Sequence, residues 1–288
     1  MRGIFILIKP NMKKILIPIA CVIATSFMIA CGIITDNTST NDSDSLVLDS
    51  IALGDMVFKT ENKEFTDSLE QNDVSISYTL NLDVPVSGNP VLVDSVKKWM
   101  HGLLGKSYEG EVNFDEEMLK HYAAEYFQEC DEEGLFDGLG AYLELNITMA
   151  TDSADFLTYE VAGYDYTGGA HGMPFFYGVT FDKEDGTKLG WDIFADTTQL
   201  APIIKKHIEE YFNETDGAES DLEECLFDGV YDNFPLPYLE PWFAPTGVKF
   251  VYSAYEIAPY VAGMPECTVP YKEVEKYFSD KAKALLKK

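Results

Sequence analysis

Residues 74–84 read Val-Ser-Ile-Ser-Tyr-Thr-Leu-Asn-Leu-Asp-Val, with an apolar side chain at every second position and Ser, Thr, Asn or Asp between. A period of two is the mark of a strand with one buried face, because successive side chains leave the backbone on opposite sides. The next two periodic segments are helical. Asn89-Pro90 opens a helix to about Leu104, with Val91, Val93, Val96, Trp99, Leu103 and Leu104 on its apolar side and Gly105 as the stop. Phe114-Asp115 opens a second through about Cys130, carrying Met118, Leu119, Tyr122, Ala123 and Phe127.

Hairpin signals follow. Tyr142–Ala150 and Phe156–Ala162 read as strands joined by Thr151-Asp152-Ser153-Ala154, and Phe175–Phe181 as a third, with the Asp185-Gly186 turn and Thr187–Leu189 returning. Thr197–Glu214 reads as a helix with Leu200, Ile203, Ile204, Ile208, Tyr211 and Phe212 on one face, with a shorter helix at Ser220–Cys225. A second hairpin pairs Tyr238–Phe243 with Val248–Tyr252, then come a strand at Glu266–Pro270 and a helix at Tyr271–Leu286. Helices interrupting runs of hairpins predict an α+β fold of antiparallel hairpins with packed helices, in two intimately associated subdomains, 55–150 and 151–288.

Composition narrows the partners. Of 288 residues 46% are hydrophobic and 24% charged, which suits a globular protein. Against 49 Asp and Glu stand 21 Lys and Arg, a net charge of −28. Such a surface repels phosphates, so nucleic acid is not an expected partner. It speeds encounter with cations.

Residues 1–30 hold four of those bases (Arg2, Lys9, Lys13, Lys14) and no acid. An apolar run, Ile15–Ala24, leads to Met28-Ile29-Ala30-Cys31. Basic start, apolar core and a small residue before the cut make a signal peptide, and the Cys after Ala30 gives it the look of a bacterial lipobox with Cys31 lipidated. An ordinary signal peptide or a membrane anchor, with an unlipidated Cys31, is the alternative. Met12 is a better-placed start than Met1. Residues 31–54, rich in Ser, Thr, Asn and Asp, read as a flexible tether. The expected location is the bacterial cell envelope, with the domain outside the cytoplasm and the membrane bound through lipid on Cys31. That place is the outer membrane or cell surface if the cell has two membranes. Cys130, Cys225 and Cys267 then allow at most one internal disulfide, or stay as buried thiols.

Two segments could carry chemistry. Tyr164–Gly172 holds Tyr164, Asp165, Tyr166, Thr167, Gly168, Gly169 and His171, with three glycines in five residues. His171 there is either a base or ligand with Tyr164, Asp165 and Tyr166 nearby, or part of a shaped loop bonded to backbone. Tyr255–Gly263 carries Tyr255, Glu256 and Tyr260, with Pro259 and Gly263 excluding a strand. No P-loop, GxSxG, HExxH or CxxC pattern occurs, so no cofactor or metal is expected. His101, His121 and His207 fall on predicted helices. Acidic clusters such as Glu116-Glu117 and Asp131-Glu132-Glu133 read as solvated faces.

Tyr166-Thr167-Gly168-Gly169-Ala170-His171-Gly172, Val179-Thr180-Phe181-Asp182, Asp185-Gly186, Asp192-Ile193-Phe194, Tyr255–Gly263 and Val269-Pro270-Tyr271, in that order, resemble the DUF3298 domain of RsiV-like and PdaC-type bacterial envelope proteins. The stretch 70–150 resembles, in layout, the DUF4163-like region that precedes it. One relative senses lysozyme by binding it, and another carries the pair ahead of a separate deacetylase domain. The resemblance implies a non-enzymatic binding or sensing module, with no catalytic residue, for a cationic (lysozyme-like) protein or a cell-wall glycan. An envelope glycan hydrolase using His171 and nearby carboxylates is the alternative.

Overall fold

In the computed structural model, the described residues are 57–216 and 221–286. The tether and Cys31 lie outside them. The architecture is α+β. A six-stranded sheet has the order β1 (Lys59–Gln71), β2 (Val74–Ser87), β3 (Ala141–Asp152), β4 (Phe156–Tyr166), β5 (Met173–Asp182), β6 (Lys188–Leu189). A three-stranded antiparallel sheet comprises β7 (Trp242–Ala244), β8 (Gly247–Val251) and β9 (Glu266–Pro270). Among the described residues no helix is long and apolar enough to cross a membrane.

The helices α1 (Pro90–Leu103) and α2 (Glu116–Glu132) cover one face of the large sheet. Asn89 caps α1 by accepting from Val91 N, while its amide donates to the carbonyls of Lys183 and Glu184 at 2.9 and 2.8 Å. One side chain thus starts the helix and ties it to the β5–β6 turn. Leu92 and Met100 are buried on α1, whereas Val91, expected on the apolar side, is exposed. Asp115 caps α2 through Met118 N. The first core joins Ile76, Leu80, Leu145, Ile147, Tyr159 and Val161 of the sheet to Val96, Trp99, Met118 and Leu119 of the helices.

One pair departs from the hairpin pattern. β2 and β3 run parallel, Ile76 against Ala141 to Leu82 against Ile147, because the chain between them crosses over through α1 and α2.

The second core is built from α3 (Leu200–Asp216), the short α4 (Leu222–Cys225), the small sheet and the C-terminal helices. Leu200, Ile204, Ile208 and Phe212 of α3 are buried, as their spacing of four implies. The single C-terminal helix expected over Tyr271–Leu286 is instead α5 (Tyr271–Val274), a 3-10 turn at Glu275–Tyr277, and α6 (Asp280–Leu285). Phe278 leaves the helix to be buried beside Phe194 and Phe243, and Ser279 caps the restart through Ala282 N.

The two cores share a wall. β4 and β5 complete the first sheet, yet their opposite face carries β7. Phe156 packs on Phe243, Thr158 Oγ1 donates to Phe243 O at 2.9 Å, and Phe243 N donates to Thr180 Oγ1 at 2.9 Å. Trp242 lies on Gly178 and donates Nε1–H to Glu160 Oε1 at 3.1 Å. A division at 150/151 falls near the end of β3, and the six-stranded sheet takes strands from both sides of it. Cys130 and Cys267 are buried thiols, each pushed up to about 12 first by desolvation, and Cys225 is half-buried.

Candidate functional site

β4 and β5 are joined by residues 167–172, and the loop 252–265 leads from β8 to β9. These segments are far apart in sequence and meet in space. Tyr260 donates its hydroxyl hydrogen to Gly172 O at 2.9 Å, and its ring stacks on His171 with centroids 3.8 Å apart. Tyr255 Oη lies 3.4 Å from His171 Nε2, and its ring is 5.5 Å from that of Tyr260. Tyr164, near the end of β4, receives Gly172 N–H on its hydroxyl at 2.7 Å and lies 3.4 Å from the Tyr260 hydroxyl. The Tyr164 bond, then burial, pushes the Tyr260 phenol up to about 12.

Local chemistry explains the shape. Gly168 (φ +85°) and Gly169 (φ +95°) take left-handed backbone that permits the tight return. Gly172 has no room for a Cβ, which would lie 2.4 Å from the Tyr164 ring. Tyr255 adopts φ +67° without being glycine, a strained conformation of the kind held where the surroundings over-determine it.

His171 is exposed. Its Nδ1 lies 2.9 Å from the Gly172 carbonyl, so Nδ1 carries hydrogen and, in the neutral ring, Nε2 is the acceptor for the Tyr255 hydroxyl. Tyr166 donates to Gly169 O at 3.1 Å and shapes the loop that Thr167 opens.

Two expected neighbours point elsewhere. Asp165 alternates to the opposite face of β4, where its charge acts on Tyr126 and Cys130 of α2. Glu256 turns into its own loop, accepting from Tyr238 N at 2.7 Å and Ser253 N at 2.8 Å. Burial pushes its carboxyl up, against the opposing pull of those two bonds.

The sequence did not single out Tyr142. It pairs in register with Tyr166 and its ring lies between those of Tyr164 and Tyr166, at 5.7 and 5.5 Å with planes 16° and 28° apart. Its alternation within Tyr142–Ala150 placed it on the outward face, and that was the available signal. The other histidines lie away from the corner: His207 bonds Glu273 at 3.0 Å, and His121 meets Ser107 at 2.9 Å. Among the described residues no group of three or more His, Cys, Asp or Glu is placed to hold a metal.

No curated protein matches the chain. A DUF3298 family member from Bacteroides fragilis NCTC 9343 matches with TM-score 0.60 and 19% identity, over 82% of this chain and 99% of its own. A DUF3298 family protein from Pseudomonas aeruginosa PAO1 matches with TM-score 0.52 and 18% identity, over 80% of this chain and 98% of its own. At those identities the likeness is one of fold. The loop holding Tyr255 and Tyr260, though not the glycine loop, lies within residues 191–272, which match the family described as "Protein of unknown function (DUF3298)".

Proposed function

We propose that this chain is a non-enzymatic binding and sensing module of the bacterial cell envelope, lipid-anchored through Cys31, whose ligand docks at the Tyr–His corner. The observation that carries this reading is the convergence of the two loops into one interlocked set, His171, Tyr255 and Tyr260, seated on Tyr164. Tyrosines held by hydrogen bonds and stacking are pre-ordered anchors, and such residues dominate binding surfaces.

Hydrolysis is the less supported role. A general acid or base needs a partner group aimed at the same point. His171 spends its ring nitrogens on Gly172 O and the Tyr255 hydroxyl, Asp165 faces away, and Glu256 is committed to backbone.

Net charge favours a cationic protein as ligand. The loop is also tied, through Phe227 N donating to Ile257 O at 3.0 Å, to an acid-rich segment with Asp221, Glu223, Glu224, Asp228 and Asp232 around a pocket of about 390 Å³. Titration of the purified domain with lysozyme and a panel of basic envelope proteins tests the reading. The expected result is saturable binding whose association slows as salt passes about 0.15 M, where the screening length is roughly 8 Å. Tyr255→Ala and Tyr260→Ala should act mainly by speeding dissociation. No saturable binding at low salt, or muropeptide cleavage abolished by His171→Ala, would overturn it.

A further inference from the structure

The second lobe covers the outer face of the large sheet only at β4 and β5, and among the described residues the outward side of β1, β2 and β3 is open. Register fixes what lies there. One row across the strands is Ser68, Ser77, Tyr142, Tyr166. The next is Thr66, Thr79, Glu144, Tyr164, and the third is Glu64, Asn81, Asn146, Ala162. Four strands about 4.8 Å apart and three rows about 7 Å apart make a patch of roughly 14 by 14 Å.

Its chemistry differs from that of the protein around it. In a chain of charge −28, these rows carry hydroxyls, amides and phenols, two carboxylates and no Lys or Arg. Their side chains are organised: the Asn62 amide donates to Asn81 at 2.7 Å, Thr66 to Thr79 at 3.4 Å, and Asn146 to Glu144 at 3.3 Å. Beside them Tyr142 is 42% exposed, yet held between two near-parallel rings. Planar amides donate to and accept from hydroxyls, carboxylates accept from them, and a fixed aromatic ring takes an apolar C–H face. With no cation on the surface, a polyanion is repelled. A polycation would be better served by the acid-rich segment at 221–232.

We infer that this open face is a binding surface for a neutral glycan chain, with Tyr142 as the aromatic anchor and Glu144, Asn146 and Asn81 as the hydroxyl-reading groups. The inference rests on the binding-module reading and assigns that module a second surface next to the Tyr–His corner.

The test uses the purified domain and hexasaccharides of N-acetylglucosamine, glucose, mannose and xylose, followed by calorimetry and by backbone-amide NMR. At least one hexamer should bind saturably, shift the amides of β3 and β4, and hold its affinity between 0.05 and 0.5 M salt. Tyr142→Ala should weaken it about tenfold or more, the loss of a hot-spot contact. Asn146→Ala should weaken it less, and Tyr238→Ala on the other lobe should leave it unchanged. Tyr142 and Tyr238 are exposed, so neither variant threatens the fold. No binding of any hexamer at millimolar concentration, or binding indifferent to Tyr142→Ala and Asn146→Ala together, overturns the inference. Lysozyme or another basic protein binding while every hexamer fails would sink the glycan surface and leave the binding module standing. Hexamer cleavage would sink the module itself.

Discussion

Tyr260 lies over His171 with ring centroids 3.8 Å apart and planes 20° apart, and its hydroxyl reaches past that ring to the carbonyl of Gly172. Stacking and hydrogen bond come from one side chain, so they can be separated. Tyr260→Phe keeps the ring and removes the bond, which should lower stability by about 1 kcal/mol in urea unfolding. Tyr260→Ala should cost more and raise the exchange rate of amides in 167–172. Equal effects of the two changes would mean that the stack contributes nothing.

Tyr255 pays for its position with a left-handed backbone. Glycine tolerates that conformation and alanine does not, at about 1 kcal/mol. Tyr255→Gly should therefore be the more stable of the pair Tyr255→Gly and Tyr255→Ala by about that amount, while both lose the ring that faces His171. The reverse order in chemical denaturation would argue that Tyr255 is unstrained.

Gly178 is the seat of Trp242: a Cβ there would lie 2.5 Å from the indole. Trp242 is fully buried and has nowhere to go. Gly178→Ala should destabilise by about 1–3 kcal/mol, the usual result of overpacking. Gly168→Val adds a clash of a different kind, 2.9 Å to Leu139 Cβ at φ +85°, and should cost about 1–3 kcal/mol by strain. Leu139 Cβ moves only with its own backbone, so the Gly168 penalty combines that clash with left-handed strain. A wild-type unfolding midpoint for Gly178→Ala would contradict the packing described.

Glu273 of α5 accepts from His207 Nε2 of α3 at 3.0 Å, and that bond, with the charges of His207, Lys206 and Lys272, holds its carboxyl below the ordinary range. A carboxyl depressed in the folded state adds stability above its unfolded value, near 4.5, and loses it as pH falls through the folded value. Melting curves from pH 6 to pH 3 should show wild type falling toward Glu273→Gln, with the difference closing below about pH 4.5. A gap that stays constant over that range would refute the link.

Cys31→Ser should release the protein from membranes into the soluble fraction, since a chain held by lipid on that residue has no other anchor among its described helices. Unchanged partition on cell fractionation would remove the lipid from the proposal.

Much of the fold is written in periodicity. The alternation of 74–84, the caps Asn89 and Asp115, and the Asp185-Gly186 turn each produce the element they predict. β1 was not legible because it is an edge strand: in Lys59–Gln71 only Phe65 packs on the first core, so there is almost no apolar alternation to see. The parallel β2–β3 pair was hidden because partner choice follows the crossover and leaves no trace in either strand. The Tyr–His corner was half visible. Its two loops are conspicuous in composition, but their meeting depends on how β7 lies across β4 and β5. Whether Glu256 and Asp165 face the corner is a matter of side-chain direction, and each turned away to a nearer partner.

The wall common to both cores should couple their melting. Losing β7 uncovers Phe156 and strands Thr158 and Thr180 without Phe243, while losing β1–β3 leaves β4 an orphaned edge. The second core then lacks the strands that close it, while the first keeps its inner face and loses the cover over the outer side of β4 and β5. One cooperative transition rather than two is therefore the expected outcome in heat or denaturant, and a cut near residue 150 should leave the second half, without β1–β3 beside β4, less stable than the whole.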